Sequence, residues 1–394
     1  MEYKINSSGT GHRYTKEEIE VVTRVMNEAD PLTQGKYRNA FEEKFKEALG
    51  LDYCFAVNNA TAALELAAQL CLFKPGDELI APTHTFTSSV YPFIKKGANI
   101  RWADIDLKTR VLTAESIEKR ITTKTRAILI VHLYGYLADM EEIVQLAKKH
   151  NLLIIEDVAQ ALGTDLNGKQ AGSFGDFGIY SFHSHKNMTT LGEGGMLSVK
   201  NQTYANILPQ LRHNGHTSFH YDRTDYWLPA MGNLEMPVLE GKMLWPNNYC
   251  LGEVECALGS KLLDRMHQMN AEKRSNALWF IDQLSAFPEL EFHRVDSSRH
   301  NYHLLAAQVK NGMRNGLIKL LADFYKIKCD VRYYPLNRYP LYQAVGLGQA
   351  DCPNTDLFFD NQICFPFEHW RSREDLNYIV NSTKDALNKL RNAG

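Results

Sequence analysis

From about residue 50 onward, short β-branched and apolar runs alternate with stretches whose apolar positions recur three and four apart. Continuous apolar runs of strand length mark buried strands, and the helical recurrence marks amphipathic helices laid over them. Residues 53–57, 78–81, 100–103, 127–132, 152–156, 178–182 and 196–199 read as strands, and 61–72, 88–95 and 140–150 as helices. That alternation predicts an α/β fold whose large domain holds a mainly parallel seven-stranded sheet covered by helices.

After about residue 265 the rhythm changes. A long charged helix over 259–284 leads into 304–309, 316–325 and a final helix over 373–391. The expected division is a large domain, 1–265, and a smaller α+β C-terminal domain, 266–394, because a chain of 394 residues outgrows one core. Segment 219–245 follows neither period: Tyr221, Tyr226, Trp227 and Trp245 lie among Pro, Gly, Asp and Met. Such a segment is a lid or binding loop on one reading and disordered on the other.

Composition narrows the function. A net charge of -2 with interspersed signs offers no basic face for a phosphate backbone, which argues against nucleic acid as partner. No signal-like apolar stretch occupies residues 1–12, and no apolar run reaches the roughly 18 residues of a membrane span, so a soluble, cytoplasmic protein is expected. The seven cysteines form no C-x-x-C pair and read as buried or free thiols of a reducing compartment. His183 and His185, with His213, His216 and His220, invite a metal reading. Without a cysteine or carboxylate at ligand spacing, they read instead as imidazoles lining a polar mouth, and no metal is expected.

Candidate chemistry sits at the strand ends. The apolar run 152–155 stops abruptly at Glu156-Asp157, and ligands of open α/β sheets gather beyond the carboxyl ends of strands. Asp157 is therefore a candidate site acid, the plainer alternative being an exposed helix cap. Gln160 follows on the same side of any helical turn that begins there. Lys186 lies just past strand 178–182, in SFHSHKNMTTLGEGG, where a lone lysine is ordinarily a solvated charge. Strand 53–57 stops at Asn58-Asn59-Ala60-Thr61-Ala62-Ala63, whose helix N-terminus suits a phosphate; an N-cap by Asn59 or Thr61 is the bland alternative. Acid, amine and phosphate cradle together meet the needs of pyridoxal phosphate. The acid keeps the pyridine nitrogen protonated, and the lysine forms an imine and then serves as acid and base. Phe86, in PTHTFTSS, is placed to lie against the ring, with a core position as its alternative.

At these residues the chain resembles the DegT/DnrJ/EryC1/StrS family of sugar aminotransferases, in the aspartate aminotransferase fold (fold type I). The resemblance runs through QGKYRNAFEEKF, NNATAALELA, PTHTF, IIEDVAQALG, GSFGDFGIYSFHSHKN, NNYCLGEVECALG and ICFPFEHW. It implies Lys186 as the Schiff-base lysine, Asp157 as the pyridinium partner and Gln160 as a contact to the ring hydroxyl. It further implies Thr61, Ala62 and Ser181 as phosphate ligands and Phe86 as the stacking aromatic. Asn248 takes the place of an asparagine that reaches the neighbouring subunit's phosphate, so a homodimer with shared active sites is implied.

The activity the resemblance implies is transfer of an amino group from an amino acid, by analogy L-glutamate, to a keto-sugar, most naturally nucleotide-linked, by a ping-pong mechanism. The same chemistry on a small phosphorylated ketone or an inosose is the alternative, with a non-catalytic sensor of the same fold behind it. Where the family reads N-Y-R with a glutamine five positions on, this chain has Asn248, Tyr249, Cys250 and then Glu255. A dehydratase branch of the family carries histidine where this chain has Lys186, so transamination is expected rather than dehydration.

Overall fold

The computed structural model describes residues 2–219 and 231–393; His220, Tyr221, Tyr226 and Trp227 lie outside the described residues. Its centre is a seven-stranded sheet. The strands are β1 (Tyr53–Val57), β2 (Glu78–Pro82), β3 (Asn99–Ala103), β4 (Thr125–Val131), β5 (Leu153–Asp157), β6 (Phe177–Ser181) and β7 (Gly195–Val199). They lie in the order β1-β7-β6-β5-β4-β2-β3. Only β7 runs against the rest, pairing antiparallel with both β1 and β6, so the other six end on one edge. Every residue of β6 and β7 is buried, because helices cover both faces; hence the apolar runs without alternation.

The covering helices follow their sequence signals. The helix Ala60–Leu70 (α1) is buried along nearly its whole length, and Asn59 caps it by accepting the Ala62 N–H at 2.9 Å. Met140–His150 (α2) shows only Met140, Ile143, Leu146 and Ala147 to the core and ends on Asn151 in the left-handed region, as a C-cap asparagine can. Two expected helices differ. In place of 88–95 there is a 3-10 turn, Thr87–Ser89, and a short helix, Tyr91–Lys95, since Pro92 is tolerated only in a first helical turn.

The expected helix 259–284 is three pieces: Glu253–Leu262 (α3), a 3-10 turn over Leu263–Arg265, and Met266–Gln283 (α4). The turn lets Asp264 meet Lys44 at 2.5 Å and Arg265 meet Glu18 at 2.5 Å, on two different N-terminal helices. A second core forms around Phe280, Val309, Leu317, Leu321, Ile363, Ile379 and Leu387. It covers a small antiparallel sheet of β8 (Leu290–Phe292), β9 (Leu305–Val309) and β10 (Gln362–Phe365). Ile5 belongs to this core and bridges to Ile327, so the N-terminus is fastened to the C-terminal part of the chain.

From there residues 7–14 run back to the Lys186 turn. Gly11 N–H donates to the Ser184 carbonyl at 2.8 Å, and a Cβ at Gly11 would lie 1.9 Å from the Lys186 carbonyl oxygen, which is why no side chain fits there. The described part of the irregular segment forms two-residue ribbons: His216–Thr217 with Asn233–Leu234, and Val238–Leu239 with Lys242–Met243. All seven cysteines are free. No helix among the described residues is long and apolar enough to cross a membrane.

Candidate active site

Because six strands end on one edge of the sheet, the segments that leave them converge there. Asp157 closes β5 and is only 5% exposed, yet its carboxylate has donors: Ser89 Oγ at 2.6 Å and Ala159 N at 3.0 Å. Strand alternation sends its neighbour Glu156 to the opposite face. There Glu156 accepts from the backbone N–H groups of Gly172, Phe174 and Gly175 at 2.9, 2.8 and 2.6 Å and contacts His132 Nε2 at 3.0 Å. Of the adjacent acids, then, Glu156 braces a loop and Asp157 faces the strand-end cleft.

Lys186 lies five residues past Ser181, the last residue of β6, in a turn closed by its own N–H on the His183 carbonyl at 2.8 Å. Part of the side chain remains open to solvent, but its amine is surrounded by protein. Burial pushes the amine down from 10.5 to about 8; the Asp157 carboxylate opposes that shift and the Arg332 guanidinium adds to it. Amine and carboxylate thus act on each other across the cleft, from the ends of neighbouring strands.

Gln160 is held from both sides. Its Oε1 accepts the Tyr134 N–H at 2.8 Å and its Nε2 donates to the Tyr333 hydroxyl at 3.0 Å. Phe86 is 54% exposed, an apolar ring facing open space, with Tyr333 edge-on at a centroid distance of 6.3 Å. Ser181 is buried beside Gly195 in the β6–β7 pairing. A Cβ at Gly195 would come within 2.5 Å of the Asn59 backbone, so the glycine lets β7 close against the start of α1.

For Ala62 the structure shows the capping arrangement: its N–H is taken by Asn59. Thr61, in the first turn of α1, remains half-buried at the helix mouth, with the positive end of the helix dipole behind it. The structure does not bring Asn248 to this group. It is exposed and bridges through its backbone to His213, while the neighbouring Tyr249 carbonyl accepts the Asn58 N–H at 2.9 Å. His183 stacks on His185 at 5.2 Å, and His213 lies tilted against His216 at 4.4 Å. No three His, Cys, Asp or Glu side chains among the described residues gather where they could hold a metal ion.

Several site residues leave no readable mark in the sequence. Ser89 reaches Asp157 from the turn after β2; Arg332 and Tyr333 come from the C-terminal third of the chain. Tyr333, not Tyr334, meets Gln160, whereas Tyr334 packs on Tyr339 and Phe359. Lys273, in α4, is buried and pushed down by that burial to about 7; its amine donates to Asn187 Oδ1 and the His303 carbonyl, each at 2.9 Å. The available clue is a polar and aromatic cluster in a loop ahead of Pro335, a weak signal.

The residues present fit pyridoxal phosphate. A partly neutral amine and a buried carboxylate face one cleft, an exposed aromatic ring borders it, and a helix N-terminus opens onto it. The comparisons with known proteins agree with the fit. The sequence profile of the DegT/DnrJ/EryC1/StrS aminotransferase family matches residues 12–384. The chain is 31% identical over 378 residues to the spore coat polysaccharide biosynthesis protein SpsC of Bacillus subtilis, covering 94% of this chain and 95% of that one. It is 38% identical over 334 residues to the UDP-N-acetyl-3-dehydro-alpha-D-glucosamine 3-aminotransferase of Acidithiobacillus ferrooxidans, covering 84% of each. Among solved structures, the sugar aminotransferase Spr1654 of Streptococcus pneumoniae in its PMP form superimposes with a TM-score of 0.85 at 25% identity, over 98% of this chain and 100% of that one.

Proposed function

The chain belongs to the DegT/DnrJ/EryC1/StrS aminotransferase family of pyridoxal phosphate-dependent enzymes, and from that premise we propose that it moves an amino group from L-glutamate to the keto group of a nucleotide-linked sugar. The observation that carries the reading is that a buried Lys186 amine, in the turn after one strand, feels the charge of the buried Asp157 carboxylate at the end of the adjacent strand. The relatives bear on the acceptor: one is named for a UDP-linked 3-keto-sugar and another for polysaccharide biosynthesis.

In this reading Lys186 holds the cofactor covalently, and Thr61, Ala62 and Ser181 surround its phosphate. For Ala62 that role requires Asn59 to release its N–H. Phe86 covers the ring and Gln160, pinned by Tyr134 and Tyr333, meets the ring hydroxyl. The cofactor supplies an electron sink for the pair left when the donor's α-proton is removed. Asp157 holds the proton on the ring nitrogen. Lys186 Nζ would accept the donor's α-proton; burial that keeps this amine down to about 8 leaves a working fraction neutral near neutral pH.

The acceptor is tested by loading the holoenzyme with L-glutamate, removing the donor, and adding a panel of nucleotide-linked keto-sugars, small phosphorylated ketones and an inosose. A nucleotide-linked keto-sugar is expected to restore the visible absorbance of the lysine-linked cofactor fastest. Recovery only with a small ketone would overturn this choice of acceptor.

The same reading makes the working unit a dimer, with Asn248 serving the partner's phosphate. Its support is an exposed apolar strip near that residue: Met231, Val238, Met243 and Trp245 are 66%, 53%, 71% and 78% exposed. So much apolar surface in one stretch is costly to leave in water. Light scattering on the eluting protein is expected to give twice the 45.0 kDa chain mass, and a Met243→Asp/Trp245→Asp variant to shift toward the single-chain mass. A wild-type monomer at micromolar concentration would contradict the shared site.

A further inference from the structure

Outside the strand-end cleft, a small cavity of about 10 Å³ lies where the loop after β3 meets the C-terminal part of the chain. Arg110, Tyr134, Tyr136, His293, His300 and Tyr302 are among the residues that wall it. A space of this size admits a single water molecule or a single monatomic ion; sulfate, phosphate or a carboxylate is too large for it. Arg110 is only 3% exposed, yet it forms no ion pair with any described residue. Its only guanidinium hydrogen bond among the described residues is a long one, to the Glu291 carbonyl at 3.4 Å, and its buried Nε has no acceptor there. The guanidinium carbon lies over the Phe358 ring at 5.0 Å, a contact that supplies no acceptor either.

The two carboxylates that act on Arg110 from farther off are committed elsewhere. Asp106 accepts the Thr109 N–H and hydroxyl at 2.7 and 2.8 Å, and Glu291 pairs with Lys310 at 2.7 Å. Burial pushes the guanidinium down to about 10, which still leaves it a cation at neutral pH. The rest of the wall brings no negative charge. His293 Nδ1 is buried without a partner, and burial together with the Arg110 charge pushes this imidazole down to about 4, so the ring is neutral and one of its nitrogens carries a proton. Burial holds His300 neutral as well; its Nδ1 accepts the Tyr302 N–H at 3.0 Å, which leaves its proton on Nε2. Water in the cavity would leave the Arg110 charge uncompensated, a costly arrangement away from solvent. A halide fills the same space and supplies the missing charge.

We propose that this cavity binds a single chloride ion, which accepts from Arg110 and His293 and fastens the loop after β3 to the segment 293–302. Bound only by the folded chain, the ion stabilises the protein by mass action. None of Lys186, Asp157, Gln160 and Phe86 lines the cavity, so the proposal stands apart from the reading of Lys186.

The test is thermal unfolding of the holoenzyme at constant ionic strength, with chloride replacing gluconate, an anion too large for the cavity. The midpoint should rise with chloride and level off gradually, by about 3 °C once chloride reaches roughly a hundred times its dissociation constant. Arg110→Met keeps much of the side chain's length and removes the charge; it should fold, since apolar replacement of a buried ion is commonly tolerated, and its midpoint should ignore chloride. Wild-type crystals grown in bromide report on the ion directly, whatever the variant does: anomalous scattering should place a bromide in contact with Arg110 Nε and His293 Nδ1. A wild-type midpoint indifferent to chloride, an equal rise in Arg110→Met, or a cavity that holds only water in the bromide crystals would each overturn the proposal.

Discussion

Lys186→Ala should abolish the visible absorbance of the lysine-linked cofactor and lower turnover by at least about 10⁴-fold, the upper range for removing a group that transfers a proton in the transition state. The loss is expected to be this large because, in the proposed reading, one side chain would both hold the cofactor and move the donor's proton. Its folding should be little affected, since the change removes a buried amine whose charged form is already disfavoured. In the wild type the pH dependence has a definite sign. The neutral amine is the nucleophile, so capture of added pyridoxal phosphate by the cofactor-free protein should accelerate as pH rises and level off above about 8. An amine at its ordinary 10.5 would keep accelerating well beyond that point. Retained absorbance and turnover in Lys186→Ala would end the assignment.

Asp157→Asn is the second large effect, with turnover expected to fall about 10²- to 10⁴-fold, the equivalent of the roughly 3 to 5 kcal/mol lost when one partner of a buried charge pair is removed. The substitution keeps the shape. An asparagine oxygen still accepts the Ala159 N–H, and its amide nitrogen can turn to Ser89 Oγ, so denaturant unfolding should shift by no more than about 1 kcal/mol. What disappears, in the proposed reading, is the negative charge that would keep the cofactor ring nitrogen protonated. The same charge raises the Lys186 amine against burial, so the midpoint of the cofactor-capture profile should move below about 8 in this variant. Unchanged turnover together with an unmoved midpoint would take Asp157 out of the site.

The two variants separate two contributions that share one cleft. In the proposed reading Lys186 would act at the donor's carbon and Asp157 at the far end of the ring. A double variant should therefore be no worse than Lys186→Ala alone, since without the amine there is no proton transfer left for the acid to assist.

Part of this arrangement is legible in the order of residues alone. Segments 53–57 and 140–150 carry boundaries in the sequence that match Tyr53–Val57 and Met140–His150, because burial and capping act locally there. Asp157 and Lys186 stand out as interruptions of apolar runs at strand ends. The break at Leu263–Arg265 is not legible: no Gly or Pro marks it, and its cause is a pair of ion contacts with Lys44 and Glu18, more than two hundred residues away. Nor can the phosphate and capping readings of Ala62 be separated locally, since both use the same N–H.

The amino-acid sequence by itself determined where the seven strands of the central sheet form and which strand ends carry an acid and an amine, because apolar runs and their interruptions depend on neighbours a few residues apart. Only the tertiary structure decided that β7 alone is reversed, that Ser89 and Tyr333 steady Asp157 and Gln160, and that the Lys186 amine is buried. Those outcomes depend on which distant segments share the free edge of the sheet, and long-range packing imposes no period on the residues it brings together.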